Sequence, residues 1–216
     1  MIFDDRIDAA RRLAAALAGW RGSCPLVLAI PRGALPMGEL IADALEGELD
    51  IVLVHKLTSA WNPEYAVGAI DEHGWCCITD PAYEGGALGE EKARRLDELR
   101  ARRARYTPGR TASDPRDRVV IVVDDGLATG ATMIAALHAV REGAPRRLIC
   151  AVPVAAPASL KAVAAHADEV VCLQAPPGFM AVGQFYRDFP QVGDAEAIAC
   201  LTRQRATAAR RSAGAG

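Results

Sequence analysis

The chain has 216 residues, enough for one domain with a full core, and its half-apolar composition is that of a globular protein. A formal charge of −2 with both signs interspersed provides no general field for nucleic acid, so a bound anion needs a local site. Cys24, Cys76, Cys77, Cys150, Cys172 and Cys200 lie in apolar runs with no Cys-x-x-Cys spacing, and neither a signal core nor a bilayer-length apolar run is present. A cytoplasmic protein with reduced core cysteines and no membrane partner is expected, disulfides being the alternative reading of the even count.

In chain order, Ile7, Ala10, Leu13, Ala14, Leu17 and Trp20 recur at helical spacing, which predicts an amphipathic scaffold helix over 4–20. Positions 25–30 predict a buried strand that stops at Pro31-Arg32-Gly33-Ala34, followed by a helix over 35–45. Such a turn lies at the carboxyl end of a strand, where open α/β sheets collect ligands. Arg32 beside the free amides at Gly33 can clamp a diphosphate, the plainer reading being a tight turn with a solvated arginine. Positions 50–54 predict another buried strand that delivers His55 and Lys56 at its end. Lys56 suits a phosphate or diphosphate, although exposure on the surface is the common fate of lysine, and His55 receives no role.

The stretch 58–118 interrupts the alternation of strand and helix. Asn62-Pro63-Glu64 marks a turn, 65–70 and 75–78 a hairpin around Glu72-His73-Gly74, and Gly85-Gly86 a hinge-like loop. Positions 90–106 predict a helix carrying Arg94, Arg95, Arg100, Arg102, Arg103 and Arg105, expected as a solvated face rather than an anion site. An insertion of this size in an α/β core is where a lid is found.

Val119, Val120, Ile121, Val122 and Val123 show no polar alternation, the pattern of a parallel strand buried on both faces. Asp124 and Asp125 end it, and Gly126, Leu127, Ala128, Thr129, Gly130, Ala131 and Thr132 lead into an apolar helix over 133–140. The acids can accept hydrogen bonds from sugar hydroxyls while the loop amides and helix N-terminus face a phosphate. Gly-x-Gly-x-x-Gly and Gly-x-x-x-x-Gly-Lys-Ser/Thr are both absent. A Mg²⁺-binding or phospho-accepting aspartate pair leaves the threonine and glycine loop unexplained, and simple helix capping leaves two adjacent acids at a buried strand end without partners. Strand over 147–153, helix over 157–165 and strand over 169–173 complete a parallel sheet with helices on both faces. Phe179, Phe185, Tyr186 and Phe189 crowd into 176–191 as a mini-core or a platform for a planar ligand. A last helix over 194–201 and a frayed tail beyond about Arg205 are expected.

Positions 120–132 resemble the phosphoribosyl-pyrophosphate signature of type I phosphoribosyltransferases, two acids followed by a small loop with Thr-Gly. Pro31-Arg32-Gly33 is similar to the turn that holds pyrophosphate in that family, and Lys56 falls near its strand-end basic position. Asn62-Pro63-Glu64 through Gly68-Ala69, Phe179-x-Ala-Val-Gly183 and positions 186–191 resemble a bacterial subgroup known only as predicted phosphoribosyltransferases. The likeness covers nearly the whole chain. It implies one domain over 1–205 with a parallel-sheet core, a flexible lid within 58–118, an aromatic hood at 176–191 and a disordered tail over 206–216.

The resemblance also implies roles. Asp124 and Asp125 would hold the ribose 2- and 3-hydroxyls as catalytic acids, and the loop from Gly126 to Thr132 would hold the 5-phosphate. Arg32, Gly33 and Lys56 would bind pyrophosphate with Mg²⁺, the metal being held through substrate oxygens and not by a protein cage, and Phe179 and Tyr186 would serve the base. The implied reaction is transfer of phosphoribose to a nitrogenous acceptor with release of pyrophosphate, in a homodimer. Members acting on 6-oxopurines carry an acid where Ala128 stands, which disfavours hypoxanthine and guanine and leaves adenine, pyrimidines, orotate or a non-base acceptor. Positions 57–61 lack the glycines of the subgroup. The alternative function is a regulatory module that senses phosphoribosyl pyrophosphate or a nucleotide without turnover.

Overall fold

In chain order the elements are α1 (Arg6–Ala16), β1 (Leu26–Ala29), α2 (Leu35–Ala44), β2 (Glu48–Ile51), β3 (Val54–Thr58), β4 (Ala66–Asp71) and β5 (Cys76–Ile78). They continue as α3 (Gly89–Tyr106), β6 (Val119–Val123), α4 (Ala131–Glu142), β7 (Arg147–Val154), α5 (Pro157–Ala164), β8 (Glu169–Gln174) and α6 (Asp194–Gly214). This computed structural model describes residues 1–58, 66–78, 81–83 and 89–214.

Five strands form a parallel sheet in the order β2-β1-β6-β7-β8. β6 lies in its middle, and all five of its side chains are buried because each face is covered. Val119, Ile121 and Val123 join the core under α1, α2 and α6, whereas Val120 and Val122 face α4 and α5. The uninterrupted apolar run therefore reports two covered faces, and the expected α/β core with helices on both sides is what forms.

The strand expected over 50–54 is two strands in two sheets. β2 ends at Ile51, the amide of Val52 still donates to the carbonyl of Ala29 (3.2 Å), and the chain then leaves the parallel sheet. β3 pairs antiparallel with β4, and β4 with β5, so Lys56 stands inside a second sheet and not at the end of a parallel strand. Both halves of the apolar run are buried, which hides the switch from periodicity alone. Asp50, 1% exposed inside that run, anchors the departure: its carboxylate accepts from the amides of Ile51 and Ser113 (2.8 Å each) and pairs with Arg103 (3.4 Å).

The expected hairpin is present as β4 and β5, its turn held by Asp71 Oδ1, which accepts from the amides of His73 (2.8 Å) and Trp75 (3.0 Å). Trp75 stacks on His138 of α4 with ring centroids 3.5 Å apart, and Arg103 of α3, which also pairs with Glu72, donates to the carbonyl of Ile51 at the end of β2 (3.0 Å). The described part of the insertion is thus docked on the core. α3 keeps the expected solvated face at Arg94 and Arg100, while other arginines pair, Arg95 with Glu91 and Glu98, Arg103 with Asp50 and Glu72, and Arg105 with Asp194. The predicted turn at Asn62-Pro63-Glu64 and the predicted hinge at Gly85-Gly86 lie outside the described residues.

The last helix is longer than expected. α6 runs on to Gly214 through positions expected to fray. Leu201 and Gln204 are buried, Gln204 donates to Asp43 (2.8 Å), and Arg203 pairs with Glu39 of α2 (2.6 Å). Alanine and arginine are strong helix formers, so packing at one end extends an already favourable segment. Cys150 and Cys200 are buried and free as expected, but Cys24 is exposed. Among the described residues no helix is long and apolar enough to cross a membrane.

Candidate active site

β6 sits between β1 and β7, so its carboxyl end opens beside the ends of both neighbours, and Asp124 and Asp125 occupy that opening. The amide of Asp125 donates to Asp124 Oδ1 (2.9 Å). Burial, and then the charge of Asp125, push the Asp124 carboxyl well above the usual carboxylate range. Burial also raises Asp125, against the opposing pull of Arg6. Two half-buried acids held this closely favour any ligand that supplies hydroxyl donors or positive charge.

Arg6 comes from the helix expected to be scaffold alone. Its Nε and Nη2 donate to Asp125 Oδ2 (3.0 and 2.9 Å), and its Nη1 donates to the carbonyl of Pro190 (2.6 Å). The guanidinium lies 3.7 Å from the centre of the Phe189 ring. A signal for it existed in the sequence: Arg6, Ala10, Leu13 and Leu17 lie on one helical stripe, and all four are buried. A basic residue in register with an apolar stripe needs a partner, although sequence does not say which.

The loop over 126–132 is held from behind. The amide of Leu127 donates to the carbonyl of Val154 and the amide of Ala156 to that of Leu127 (2.9 Å each), while Ser159 Oγ of α5 donates to the carbonyl of Ala128 (2.6 Å). Gly130 caps α4 at φ 80°, a left-handed conformation that glycine adopts freely. No side chain caps that end, so the first amides of α4 are available to an anion at the positive end of the helix dipole. Thr129 is exposed at the loop tip and Thr132 half-buried in the first turn. Removing the Ser159 hydroxyl frees one side of this loop. Ser159→Ala is expected to raise the KM for a phosphorylated ligand several-fold and to cost about 1 kcal/mol of stability, measured by steady-state kinetics and by denaturant unfolding.

These residues enclose a cavity of about 280 Å³. Gly33, Lys56, Asp124, Asp125, Gly126, Leu127, Ala128, Thr129, Gly130 and Thr132 all line it, so most of the residues singled out from sequence converge on one space. Lys56 reaches it from the second sheet and acts electrostatically on Asp124. Ala131 is buried behind the loop at 2% exposure. Arg32 points elsewhere: across a cis Pro31-Arg32 peptide, its Nη1 lies 3.5 Å from Asp194 Oδ1 at the start of α6. Asp194 also accepts from Tyr106 and pairs with Arg105 (2.7 Å), and burial with this acceptor pushes the Tyr106 hydroxyl up to about 12.

The aromatic stretch forms the expected mini-core. Tyr186 packs between Phe3 and Phe189, with ring centroids 5.3 and 4.7 Å away, and Phe179 stacks on Phe185 (5.4 Å). Tyr186 is 6% exposed and its hydroxyl donates to the carbonyl of Asp125 (2.7 Å), which sets it behind the acids. Phe179 is half-buried. The hood residue that lines the cavity is Val182, in a turn held by Gln184, which accepts from the amides of Met180 and Ala181 (3.2 Å each). Sequence reasoning gave no role to Val182, seen only inside the Phe179-to-Gly183 motif, and passed over Ser159, because each is a common residue whose place is set by a neighbour distant in the chain.

A model of the phosphoribosyl transferase domain matches residues 2–190. The chain belongs to the phosphoribosyl transferase domain family. Two Mycobacterium tuberculosis proteins, from strains CDC 1551 / Oshkosh and ATCC 25618 / H37Rv, each named "Putative phosphoribosyl transferase", are 40% identical over 207 residues. The match takes in 94% of this chain and 47% of each of theirs, so this phosphoribosyltransferase domain spans about half the length of the curated relatives it matches. The crystal structure of TT1426 from Thermus thermophilus is 42% identical, with a TM-score of 0.81 over 94% of this chain and 99% of that one. A Staphylococcus aureus hypoxanthine phosphoribosyltransferase, 15% identical with a TM-score of 0.50 over 89% of this chain and 88% of its own, shares the fold. The type I resemblance read from positions 120–132 is therefore correct at the level of family and of fold.

Proposed function

We propose that this domain transfers a 5-phosphoribosyl group from phosphoribosyl pyrophosphate to a nitrogenous acceptor and releases pyrophosphate. The observation that carries the reading is one cavity in which two half-buried acids face a backbone-lined loop and a lysine. The 5-phosphate would take the amides of the loop and of the first turn of α4, with the hydroxyls of Thr129 and Thr132. The ribose hydroxyls would donate to Asp124 and Asp125. The diphosphate would then lie toward Gly33 and Lys56, with Arg32 joining it by leaving Asp194.

The chemistry follows from that polarity. As the C1–O bond to pyrophosphate breaks, positive charge grows on the sugar above two carboxylates, and negative charge grows on the leaving group beside Lys56. The acceptor nitrogen forms the new bond to C1 from the opposite face, and its proton is lost to solvent or to a base of the acceptor's own. Among the described residues no three His, Cys, Asp or Glu side chains cluster as a metal cage. A magnesium ion arriving on the diphosphate would supply positive charge to the leaving group. A lid role for the insertion, a homodimer and a cytoplasmic setting belong to the same reading. Ala128 gives no acid to a 6-oxopurine, so hypoxanthine and guanine are expected to be poor acceptors.

Calorimetric titration with phosphoribosyl pyrophosphate and Mg²⁺, paired with pyrophosphate release over a panel of bases and amines, tests the proposal. Binding with release for at least one acceptor other than hypoxanthine or guanine is expected. Binding without release for any acceptor would assign a sensing module instead, and failure to bind the donor would remove the reading altogether.

A further inference from the structure

We infer that Arg6 is a positioning residue of the catalytic centre, which fixes the Asp125 carboxylate for the sugar and ties it to the aromatic hood. The inference rests on the proposed phosphoribosyl transfer for its kinetic consequence, but not for its geometry. Arg6 is 9% exposed, and its three hydrogen bonds divide between two parts of the molecule: two reach Asp125 Oδ2 and the third reaches the carbonyl of Pro190. Its guanidinium plane meanwhile covers Phe189, whose ring packs on Tyr186, and Tyr186 donates to the backbone carbonyl of the same Asp125. Asp125 is therefore held at its side chain by α1 and at its backbone by the hood, and Arg6 closes the ring between them.

The chemistry of the residue suits that task. A guanidinium holds its charge at every relevant pH, and its planar fork directs several donors at once. A lysine would supply the charge without the fork. The titratable and charged groups around Asp125 are Asp124 from its own strand end, Arg6 from α1 and Tyr186 from the hood, with Lys56 of β3 acting on the neighbouring Asp124. Arg6 is the cation in direct hydrogen-bond contact with it. With that cation removed, the repulsion between the two neighbouring acids is offset only by Lys56, which acts on Asp124, and Asp125 is expected to take up a proton at a higher pH. A protonated Asp125 accepts less well from a sugar hydroxyl and stabilises positive charge on C1 poorly.

The test uses the full chain with carboxyl-¹³C aspartate, comparing the parent with Arg6→Gln and Arg6→Lys. In Arg6→Gln the Asp125 titration midpoint is expected to move up in pH. The KM for phosphoribosyl pyrophosphate should rise roughly tenfold or more, the range for a lost hydrogen bond to a charged group. The acid limb of the rate profile should move in the same direction as the midpoint. Arg6→Lys should return most of the midpoint and only part of the KM. The carboxyl titration is read in ligand-free protein, so a lack of turnover with every acceptor counts against the proposed reaction and not against Arg6. An unchanged Asp125 midpoint in both folded variants, with nothing but a lower Tm, would reduce Arg6 to a structural pair and overturn the inference. Should Arg6→Gln not fold, the Arg6→Lys midpoint and KM decide alone: both equal to the parent's would overturn it, and a raised KM would sustain it.

Discussion

Asp124→Asn is expected to abolish most activity and to make the ligand-free protein more stable at neutral pH. Removing one preorganised electrostatic group from a site of this kind costs roughly 10²–10³-fold in rate. The stability change has the opposite sign because the native site holds two acids side by side in a half-buried pocket, which raises the pKa of both. Burial and Asp125 raise the Asp124 pKa in the folded state, so its favourable contribution is complete only below the unfolded-state value of about 3.9 and is lost as pH rises through the folded value. An asparagine keeps an acceptor for the amide of Asp125, which now donates to Asp124 Oδ1, and it never ionises. Scanning calorimetry should therefore show a higher Tm than the parent at pH 8, by about 2–4 °C for each kcal/mol regained, and the gap should close as pH falls toward 4. Asp125→Asn should gain less, because the same change leaves Arg6 buried against a neutral amide. Equal Tm values for parent and Asp124→Asn at pH 8 would mean that the acids are not in conflict. A destabilised site that catalyses is the usual exchange between stability and activity.

The contrast between those two acids shows how far sequence reasoning reaches. Asp124, Asp125 and the loop through Thr132 are adjacent in the chain, so a single strand, turn and helix bring them to one place, and that place was readable. Arg6 is 119 positions from its partner. Its place on a buried stripe announced that a partner was needed, but only the packing of α1 over the sheet says which one. Lys56 does line the cavity, but from a different architecture than the sequence suggested. A run of apolar residues looks the same whether it stays in one sheet or passes into a second, since both pieces are buried. Arg32 shows the converse: its position was readable, but its rotation toward Asp194 depends on α3 and α6, whose meeting point no local pattern records. The hood was legible as a concentration of aromatics, yet the residue that lines the cavity is the aliphatic Val182.

Gly33→Ala is expected to be the most damaging single methyl group that can be added near the site. A Cβ at Gly33 would stand 2.2 Å from Asp125 Oδ2, 3.0 Å from its Cγ and 3.3 Å from Arg6 Nη2. The obstruction is the hydrogen-bonded carboxylate itself, so relief requires Asp125 to swing away and break both bonds from Arg6. Displacing a catalytic group by about 1 Å costs on the order of 10²-fold in rate, and overpacking a filled space costs about 1–3 kcal/mol. Gly126 offers the comparison. Its Cβ would meet the Val182 side chain at 2.7 and 2.8 Å, on the half-exposed hood turn where a small shift is available, and the buried Val154 Cγ1 at 3.1 Å, which needs to give only by a few tenths of an ångström. Gly126→Ala should therefore fold nearly as well as the parent and raise KM, whereas Gly33→Ala should lower both Tm and kcat/KM. Because Gly33→Ala and Arg6→Gln act through the same carboxylate, the double variant should lose little more activity than Gly33→Ala alone. Additive losses, or a Gly33→Ala enzyme within about twofold of the parent, would show that the Asp125 rotamer held by Arg6 is not the one that meets the sugar.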